Sequence, residues 1–294
     1  MLRRHGLSQR RRRAPGFYPV PPSKLTRPTH PNHVWTVDFK GWFLTGDGVR
    51  CDPLTVCDRY SHYLISCHAR PNQQFKGTLR VFKRLLRHHG KPQIIRVDNG
   101  TPFASSGLAR LSQLSVWWIE QGIAVEFTRP GKPQDNGSHE RLHRDLKAEC
   151  TQPPSANLRA QQRRLQRWQH TYNHVRPHEA LQMQKPAQIY HRSQRRLHEH
   201  DQPLRYPTAY RVKTLTDNGQ LWHDGHHYHV GEAFAGCRVG LFVNPAGLTE
   251  LHFANVHLGN LLYDPAERFR PAASIVPPDH KPLALSHLKT KPKV

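Results

Sequence analysis

Acidic residues are scarce in this chain, and several features that would define other protein classes are missing. The 294 residues include 21 aspartates and glutamates against 44 lysines and arginines, which gives a formal net charge of +23. The five cysteines form no CxxC pair, which predicts reduced thiols in a cytosolic protein. No apolar run of about 18 residues occurs, so no membrane span is expected, and the basic N-terminus lacks the apolar segment of a secretory signal.

The excess of positive charge favours a polyanion as partner. Each phosphate that is neutralised releases counterions, so binding to nucleic acid should weaken steeply with salt. Ribosomal and other RNA-binding proteins are equally basic, so charge alone does not distinguish DNA from RNA or an enzyme from a binding protein. Apolar residues amount to 36%, which is low for one compact core, and we expect arms and linkers around a single well-packed domain.

Composition divides the chain into five predicted segments. Residues 1–32 are rich in arginine and proline and are expected to form an extended basic arm or a disordered tail. Residues 33–190 form the main domain, and residues 191–206 are a polar linker. Residues 207–266 show short alternating runs broken by turns, which is typical of a small antiparallel barrel, and residues 267–294 are a basic tail.

The main domain shows the order of elements of an RNase H-like fold, a mixed sheet flanked by helices. Hydrophobic periodicity and turn residues predict three antiparallel strands, followed by helix, strand, helix, strand and two helices. The strands are predicted at residues 34–43, 49–57, 62–67, 94–97 and 123–127, and the helices at residues 75–86, 105–121, from Ser138 onward, and 157–172.

Three acidic residues occupy notable positions in this order. Asp38 lies within the first strand, Asp98 ends the fourth strand, and Glu140 begins a helix behind the glycine- and proline-rich loop 129–137. The first and fourth strands of an RNase H-like sheet are neighbours, so the two aspartates should meet, and Glu140 could join them. Clustered carboxylates suit two magnesium ions that promote displacement at phosphorus. Alternatively, Asp98 only forms the Asn-Gly turn and Glu140 only complements a helix dipole.

Four sequence blocks carry a family resemblance. They are residues 35–39 (WTVDF), 97–103 (VDNGTPF), 133–137 (PQDNG, leading to Glu140) and 172–181 (YNHVRPHEAL). In this order they resemble the integrase-core transposases of bacterial insertion sequences, within the retroviral-integrase superfamily. The match covers roughly residues 33–190.

The resemblance implies that Asp38, Asp98 and Glu140 are the catalytic and metal-binding residues of a DDE enzyme with two Mg²⁺ or Mn²⁺ ions. It implies double-stranded DNA ends as substrate, a homo-multimer that brings two ends together, and a bacterial cytoplasmic location at the nucleoid. It also suggests that residues 207–266 form an SH3-like barrel that binds DNA. The residues predicted to contact DNA are Asn136, His143, Arg144, Lys147, Arg176 and His178.

The basis for these DNA contacts differs between residues. Lys147 matches a basic position of the family, and it lies seven residues after Glu140 on the same helix face, although it could be an ordinary surface lysine. Arg176 and His178 could contact DNA or fix the turn after the long helix. Trp118 is expected in the core. His223, His226, His227 and His229 could suggest zinc, but a surface or nucleic-acid-facing position is preferred because alternate strand residues point to opposite faces.

The chain departs from the family in three ways. The interval between Asp98 and Glu140 is longer than usual, and the surplus is expected near residues 105–118. The start of the chain resembles only the tail of the family's helix-turn-helix region, and no His-His-Cys-Cys zinc module precedes the core. The main hypothesis is therefore a transposase that cuts and joins DNA. The competing hypotheses are a truncated, DNA-binding but non-catalytic remnant and an RNase H-like nuclease that only hydrolyses.

Overall fold

The computed structural model describes residues 25–129, 137–197, 204–263 and 273–276. The first 24 residues of the predicted basic arm, Asn136 and most of the predicted basic tail lie outside these ranges. Within them, no helix combines the length and apolar character needed to cross a bilayer.

A mixed sheet forms the centre of the main domain, as predicted, but it has six strands instead of five, because the predicted strand 34–43 is interrupted between Phe39 and Phe43. The strands are β1 (Val34–Phe39), β2 (Phe43–Leu44), β3 (Arg50–Asp58), β4 (Leu64–Arg70), β5 (Ile94–Val97) and β6 (Ala124–Phe127). β3 is antiparallel to β1, β2 and β4, whereas β1, β5 and β6 run parallel to one another. The turn between β2 and β3 contains Gly48, whose backbone N–H donates to Thr45 O over 2.9 Å, as the Gly-Asp-Gly sequence predicts.

Helices cover both faces of this sheet. They are α1 (Phe75–His89), α2 (Gln113–Glu120), α3 (Gly137–Cys150), α4 (Leu158–His174) and the short α5 (Pro186–Ile189). α1 ends at Gly90, which has a φ of 77° and donates its N–H to Leu86 O. At the start of α4, the Asn157 side chain accepts from Ala160 N over 2.9 Å.

Two apolar clusters hold the helices against the sheet. On one face, Trp35 and Val37 of β1 pack with Phe82 of α1 and with Leu114 and Trp118 of α2, which confirms the expected burial of Trp118. On the other face, β4 packs against α3 and α4 through a second cluster of buried side chains. That cluster contains Leu64, Cys67, Leu142, Leu146, Cys150, Leu165, Trp168 and Tyr172.

Two predicted helix starts are wrong. The helix expected over residues 105–121 begins only at Gln113, because Ser112 and Ser115 form a capping box that fixes its first turn. Before it, Ala104 pairs with Leu111 around a short 3₁₀ turn. α3 begins at Gly137, so Ser138 lies inside the first turn instead of capping the helix.

The C-terminal part contains strands at the expected spacing, but a closed SH3-like barrel is not confirmed. The strands are β7 (Arg211–Thr214), β8 (Gln220–His223), β9 (His226–His229), β10 (Arg238–Val243), β11 (Thr249–Phe253), β12 (Val256–Tyr263) and β13 (Ala273–Val276). Among the described residues, β7 and β13 form the two edges of an open five-stranded sheet, and β8 and β9 pair only with each other. The hydrogen-bond ladder therefore does not close. β13 also shows that the sheet extends into the predicted tail.

The C-terminal sheet packs directly on the main domain. Val116 and Ile119 of α2 share a buried cluster with Val239 of β10 and Phe253 of β11. The first half of the predicted linker is also packed: Ser193 donates to Lys91 O over 2.7 Å, and the Arg195 guanidinium donates to the carbonyls of Pro92 and Gly122. Apolar contact, in addition to chain connectivity, therefore holds the two parts together.

Candidate active site

Two of the predicted carboxylates emerge side by side from the centre of the sheet. In the parallel pairing of β1 with β5, the last pair is Val37 opposite Val97. The next residues along the two strands are Asp38 and Asp98, and both are half-buried. The strand register therefore brings these two carboxylates to adjacent positions at the carboxyl ends of parallel strands.

The face of the sheet that carries Asp38 is covered by α3. Trp35 and Val37 of β1 point into the core beneath α1 and α2, so Thr36 and Asp38 point to the opposite side. There, His143 of α3 places Nδ1 3.9 Å from Asp38 Oδ2, and the Asp38 side chain keeps 21% of its surface exposed. Asp38 is therefore partly shielded by protein and still open to a ligand.

Asp98 is held by a local turn. Gly100 N donates to Asp98 Oδ1 over 3.1 Å, and Asn99 Nδ2 donates to Thr128 O over 2.9 Å. The first bond is that of a turn-forming aspartate, which sequence analysis gave as the alternative to catalysis, and the second ties the turn to the residue after β6. The turn and a ligand role are compatible, because the turn orients the carboxylate beside Asp38.

The two faces of α3 have different compositions. His139, Leu142, His143 and Leu146 recur at helical spacing and point toward the sheet. A neighbouring stripe of Glu140, Arg144 and Lys147 is exposed. Glu140 and Lys147 share one face, as predicted, whereas His143, which is predicted to contact DNA, points toward Asp38 and is half-buried.

Two threonines anchor α3 to the sheet through His139. This residue is 1% exposed, and its Nδ1 and Nε2 lie 2.9 Å from Thr36 Oγ1 and 2.9 Å from Thr55 Oγ1, respectively. Thr55 Oγ1 is also 2.8 Å from His143 Nε2 and donates to the backbone oxygen of Asp38 over 3.0 Å. The network thus connects the helix that carries Glu140 with the strand that carries Asp38.

Both inward histidines are neutral near pH 7. Burial, followed by the neighbouring His143, holds the pKa of His139 well below its ordinary value. Burial, followed by the charge of Lys40, lowers the pKa of His143 to about 4. A neutral imidazole offers one donor and one acceptor nitrogen, and His139 directs both of its ring nitrogens at threonine hydroxyls.

Positive charge lies near Asp38. Lys40 follows β1 two residues after Asp38, and its pKa is lowered by partial burial and then by the charge of Lys147. Lys147 on α3 thus adds its charge to that of Lys40 beside the sheet. A phosphate at the site would meet cations from two separate elements.

The other predicted DNA contacts have different surroundings. Arg176 Nη2 lies 2.7 Å from Glu149 Oε1, and Arg176 Nη1 lies 3.4 Å from Asp145 Oδ2. The His178 ring contacts the Tyr172 ring edge-on, with centroids 4.6 Å apart. These contacts support the alternative in which both residues fix the turn after α4. Arg144 is exposed, and Asn136 lies outside the described residues.

The donor chemistry at Asp38 and Asp98 fits magnesium or manganese. Carboxylate oxygens are the ligands that these hard cations prefer, and both groups are half-buried near a solvent-facing edge. In the part of the chain that the structure describes, Asp38, Asp98 and Glu140 do not bring three ligand atoms within 4.8 Å of one another. Joint chelation would therefore require the exposed Glu140 side chain to turn toward the aspartates.

Sequence analysis missed the buried network of His139, Thr36 and Thr55 and the position of Lys40. The helical spacing of His139, Leu142, His143 and Leu146 could have shown that the histidines face inward. The threonine partners could not have been found in this way, because 103 residues separate His139 from Thr36 and 84 separate it from Thr55.

Comparisons with known proteins identify an integrase core domain in this chain. Two family models described as integrase core domain match the chain, one at residues 28–133 and the other at residues 121–186. Together the two matches span more than half of the chain, and they contain β1, β5, α3 and α4. The three acidic residues all lie within the matched stretch.

Individual relatives include bacterial and viral proteins. The uncharacterized 31.7 kDa protein of insertion element IS407 from Burkholderia multivorans is 28% identical over 191 residues, which are 64% of this chain and 66% of that protein. The Pro-Pol polyprotein of feline foamy virus is 26% identical over 138 residues, covering 44% of this chain and 10% of the polyprotein. The HTLV-2 integrase catalytic core domain in complex with magnesium covers 56% of this chain and 100% of its own, with 19% identity and a TM-score of 0.40. The chain therefore belongs to the integrase core domain family.

Proposed function

We propose that this chain cuts DNA at the ends of a mobile element and joins the freed 3′ ends to target DNA. The observation that carries the proposal is the register of β1 and β5, which sets Asp38 beside Asp98 at the carboxyl ends of parallel strands. Glu140, on the helix docked over the same face, is the third acidic residue. The integrase-core family supports DNA as the substrate.

The three carboxylates would hold two Mg²⁺ or Mn²⁺ ions. Such ions activate an attacking hydroxyl and stabilise the departing oxygen in an in-line displacement at phosphorus. Asp38 and Asp98 would supply oxygen ligands from fixed positions, because β1 and the turn at Gly100 hold their backbones. Glu140 would complete the set by rotation of its exposed side chain at the start of α3.

The surrounding residues position these ligands and the DNA. His139 and His143 fix α3 against β1 and β3, which holds the helix that carries Glu140 over the strand that carries Asp38. Lys40 and Lys147 place positive charge beside the carboxylates and would contact the phosphate backbone next to the reacting phosphate. Arg144, on the exposed stripe of α3, would extend this contact along the duplex.

The substrate is proposed to be double-stranded DNA, with both element ends held in one homo-multimer. The net charge of +23 supports tight, salt-sensitive binding to a phosphate backbone. Joining two ends to one target requires at least two active sites close together. A multimer meets this need, since each chain contributes one Asp38–Asp98 pair.

The test uses purified full-length protein, Mg²⁺ and a labelled duplex that carries the inverted repeats flanking the gene. We expect nicked and joined products with the wild type, and the loss of both with Asp98→Asn while DNA binding persists. Asp217→Asn is the matched control, because Asp217 also begins an Asp-Asn-Gly tripeptide, in an exposed turn of the C-terminal part. This variant should keep wild-type activity.

The products discriminate between the three functions. Joined DNA that depends on Asp98 supports the transposase, whereas Asp98-dependent nicks without joining indicate a nuclease that only hydrolyses. Binding without any cleavage indicates a non-catalytic remnant. Equal cleavage by Asp98→Asn and the wild type would refute the assignment of the active site.

A further inference from the structure

A second group of metal-ligating side chains lies far along the chain from the acidic site, in the C-terminal sheet. Glu250 and His252 of β11 and His257 of β12 each direct a ligand atom to one place, and these atoms lie within 4.8 Å of one another. Among the described residues it is the one group of three histidine, cysteine or acidic side chains that meets this distance. Two imidazoles and one carboxylate form a typical ligand set for zinc.

A β-bulge brings the members of this group to one face of the sheet. Glu250 pairs with Asn260 and His252 pairs with His257, with a shift of register after Leu251. In a regular strand, His257 and Asn260 would point to opposite faces, because they are three residues apart. The bulge adds one residue to β12 between His257 and Asn260, so that both point to the same face of the sheet. Their side chains and those of Glu250 and His252 therefore all lie on the face opposite the buried core.

Two polar atoms of β12 are buried without a partner. His257 Nε2 and Asn260 Oδ1 are inaccessible to solvent and make no hydrogen bond in the structure. Most buried polar atoms in proteins are hydrogen-bonded, and an unsatisfied one costs on the order of 1–3 kcal/mol. A metal ion between β11 and β12 would use both atoms as ligands and remove this cost.

The side chains of β11 are already oriented for such an ion. His252 Nε2 lies 2.9 Å from Glu250 Oε2, and Asn244 Nδ2 donates to Glu250 Oε1 over 3.0 Å. The His252 and His257 rings stack with their centroids 4.7 Å apart. The ring of Tyr210 meets His252 edge-on at 5.3 Å and covers one side of the group. Aromatic cover and a fixed carboxylate favour a preformed site over a set of independent surface histidines.

We propose that Glu250, His252 and His257 bind one Zn²⁺ ion, with the Asn260 side-chain oxygen as the fourth ligand. Ligands at 2.0–2.1 Å in a tetrahedron are about 3.4 Å apart, so small rotations of the stacked rings would be sufficient. Imidazole nitrogens favour zinc over magnesium, which distinguishes this site from the carboxylates at Asp38 and Asp98. The ion would tie β11 to β12 and stabilise the C-terminal sheet, independently of whether the chain cleaves DNA.

The experiment measures zinc on the full-length protein after removal of metals with EDTA. Zn²⁺ is titrated calorimetrically in excess Mg²⁺, which occupies oxygen-ligand sites, and retained zinc is counted by mass spectrometry after dialysis. We expect one tightly bound ion per chain in the wild type. His257→Gln should weaken binding by at least roughly 10- to 100-fold. His229→Gln is the control, because His229 is exposed on the neighbouring hairpin.

Two further measurements keep the result decisive. Zn²⁺ should raise the melting temperature of the wild type and of His229→Gln, but not that of His257→Gln. If His257→Gln does not fold, the zinc affinity of Asn260→Asp is measured instead, because a carboxylate at this position should tighten zinc binding. The proposal is overturned if the wild type retains no zinc, if His257→Gln binds it as tightly as the wild type, or if Asn260→Asp fails to tighten binding.

Discussion

Replacement of His139 by alanine tests how α3 is held over the active site. The imidazole is 1% exposed and contacts the hydroxyls of Thr36 and Thr55, both at 2.9 Å. No other side chain of the described part of α3 reaches both β1 and β3 through hydrogen bonds. His139→Ala should therefore loosen the helix that carries Glu140.

The expected loss of stability follows from these contacts. Two hydrogen bonds contribute about 1 kcal/mol each, and the void left by the ring adds about 1–2 kcal/mol. The threonine hydroxyls keep other acceptors, Cys57 O at 3.3 Å and Asp38 O at 3.0 Å, so no large penalty for unsatisfied groups is added. The free energy of unfolding should fall by about 3–4 kcal/mol, which corresponds to a melting temperature lower by roughly 10 °C.

Urea denaturation of the full-length protein measures this change through the transition midpoint at constant slope. Arg144→Ala is the matched control, because Arg144 lies on the exposed face of the same helix. That variant should stay within about 0.5 kcal/mol of the wild type. If the two variants unfold within about 1 kcal/mol of each other, the network of His139 does not hold α3 to the sheet.

Three further changes test other contacts. Arg176→Ala should lower the free energy of unfolding by no more than about 1 kcal/mol, because the Glu149 side chain that Arg176 pairs with is 42% exposed. In a double-mutant cycle with Glu149→Gln, the losses of stability of the two single variants should not add up in the double variant, and additive losses would contradict the ion pair. Burial, followed by the charges of His88 and Arg192, lowers the pKa of His89 to about 4. This folded-state pKa lies below the unfolded value of 6.5, so the contribution of neutral His89 to the free energy of unfolding is fully present above pH 6.5 and is lost as the pH falls toward 4. The free energy of unfolding should be lower by about 2–3 kcal/mol at pH 4.5 for this reason. Urea denaturation should show that acidification lowers the free energy of unfolding less in His89→Gln than in the wild type, and an equal decrease in the two proteins would contradict this role of His89. Gly240→Ala would place a Cβ atom 2.5 Å from the Tyr206 ring, so thermal melts should show a loss of about 1–3 kcal/mol, and an unchanged melting temperature would show that the ring can move.

Matched variants separate these effects from general damage. Gly107→Ala controls for the loss of glycine, because a Cβ at Gly107 would meet only Ser105 Oγ at 3.4 Å. His229→Gln controls for the loss of a histidine from an exposed position. Gly107→Ala should have the melting temperature of the wild type. His229→Gln should lose as much unfolding free energy on acidification as the wild type does.

Local elements were largely predictable because their signals lie within a few residues. The apolar spacing of α1 and its end at Gly90 followed from the sequence, as did the turn around Gly48. The start of α2 was not predicted, because Ser112 and Ser115 compete with the preceding apolar residues and fix the helix start. A short capping motif decided the boundary where periodicity alone suggested a longer helix.

Predictions on the C-terminal part were accurate for strands but not for their closure. The turn residues predicted short strands, and these are present from Arg211 onward. Whether strands close into a barrel depends on which edges pair, and alternation of residues carries no information on this. The bulge in β12 is a similar case, because its extra residue is visible only from the pairing of His252 with His257.

The sequence by itself determined the charge of the chain, the order of its main elements and the identity of the three acidic residues. Only the tertiary structure decided that Asp38 and Asp98 follow the last pair of a parallel register, and that His143 turns toward Asp38 instead of toward solvent. The physical reason is range. Residue type and periodicity act between near neighbours, whereas register, packing and metal-ligand geometry arise from contacts between residues far apart in the chain.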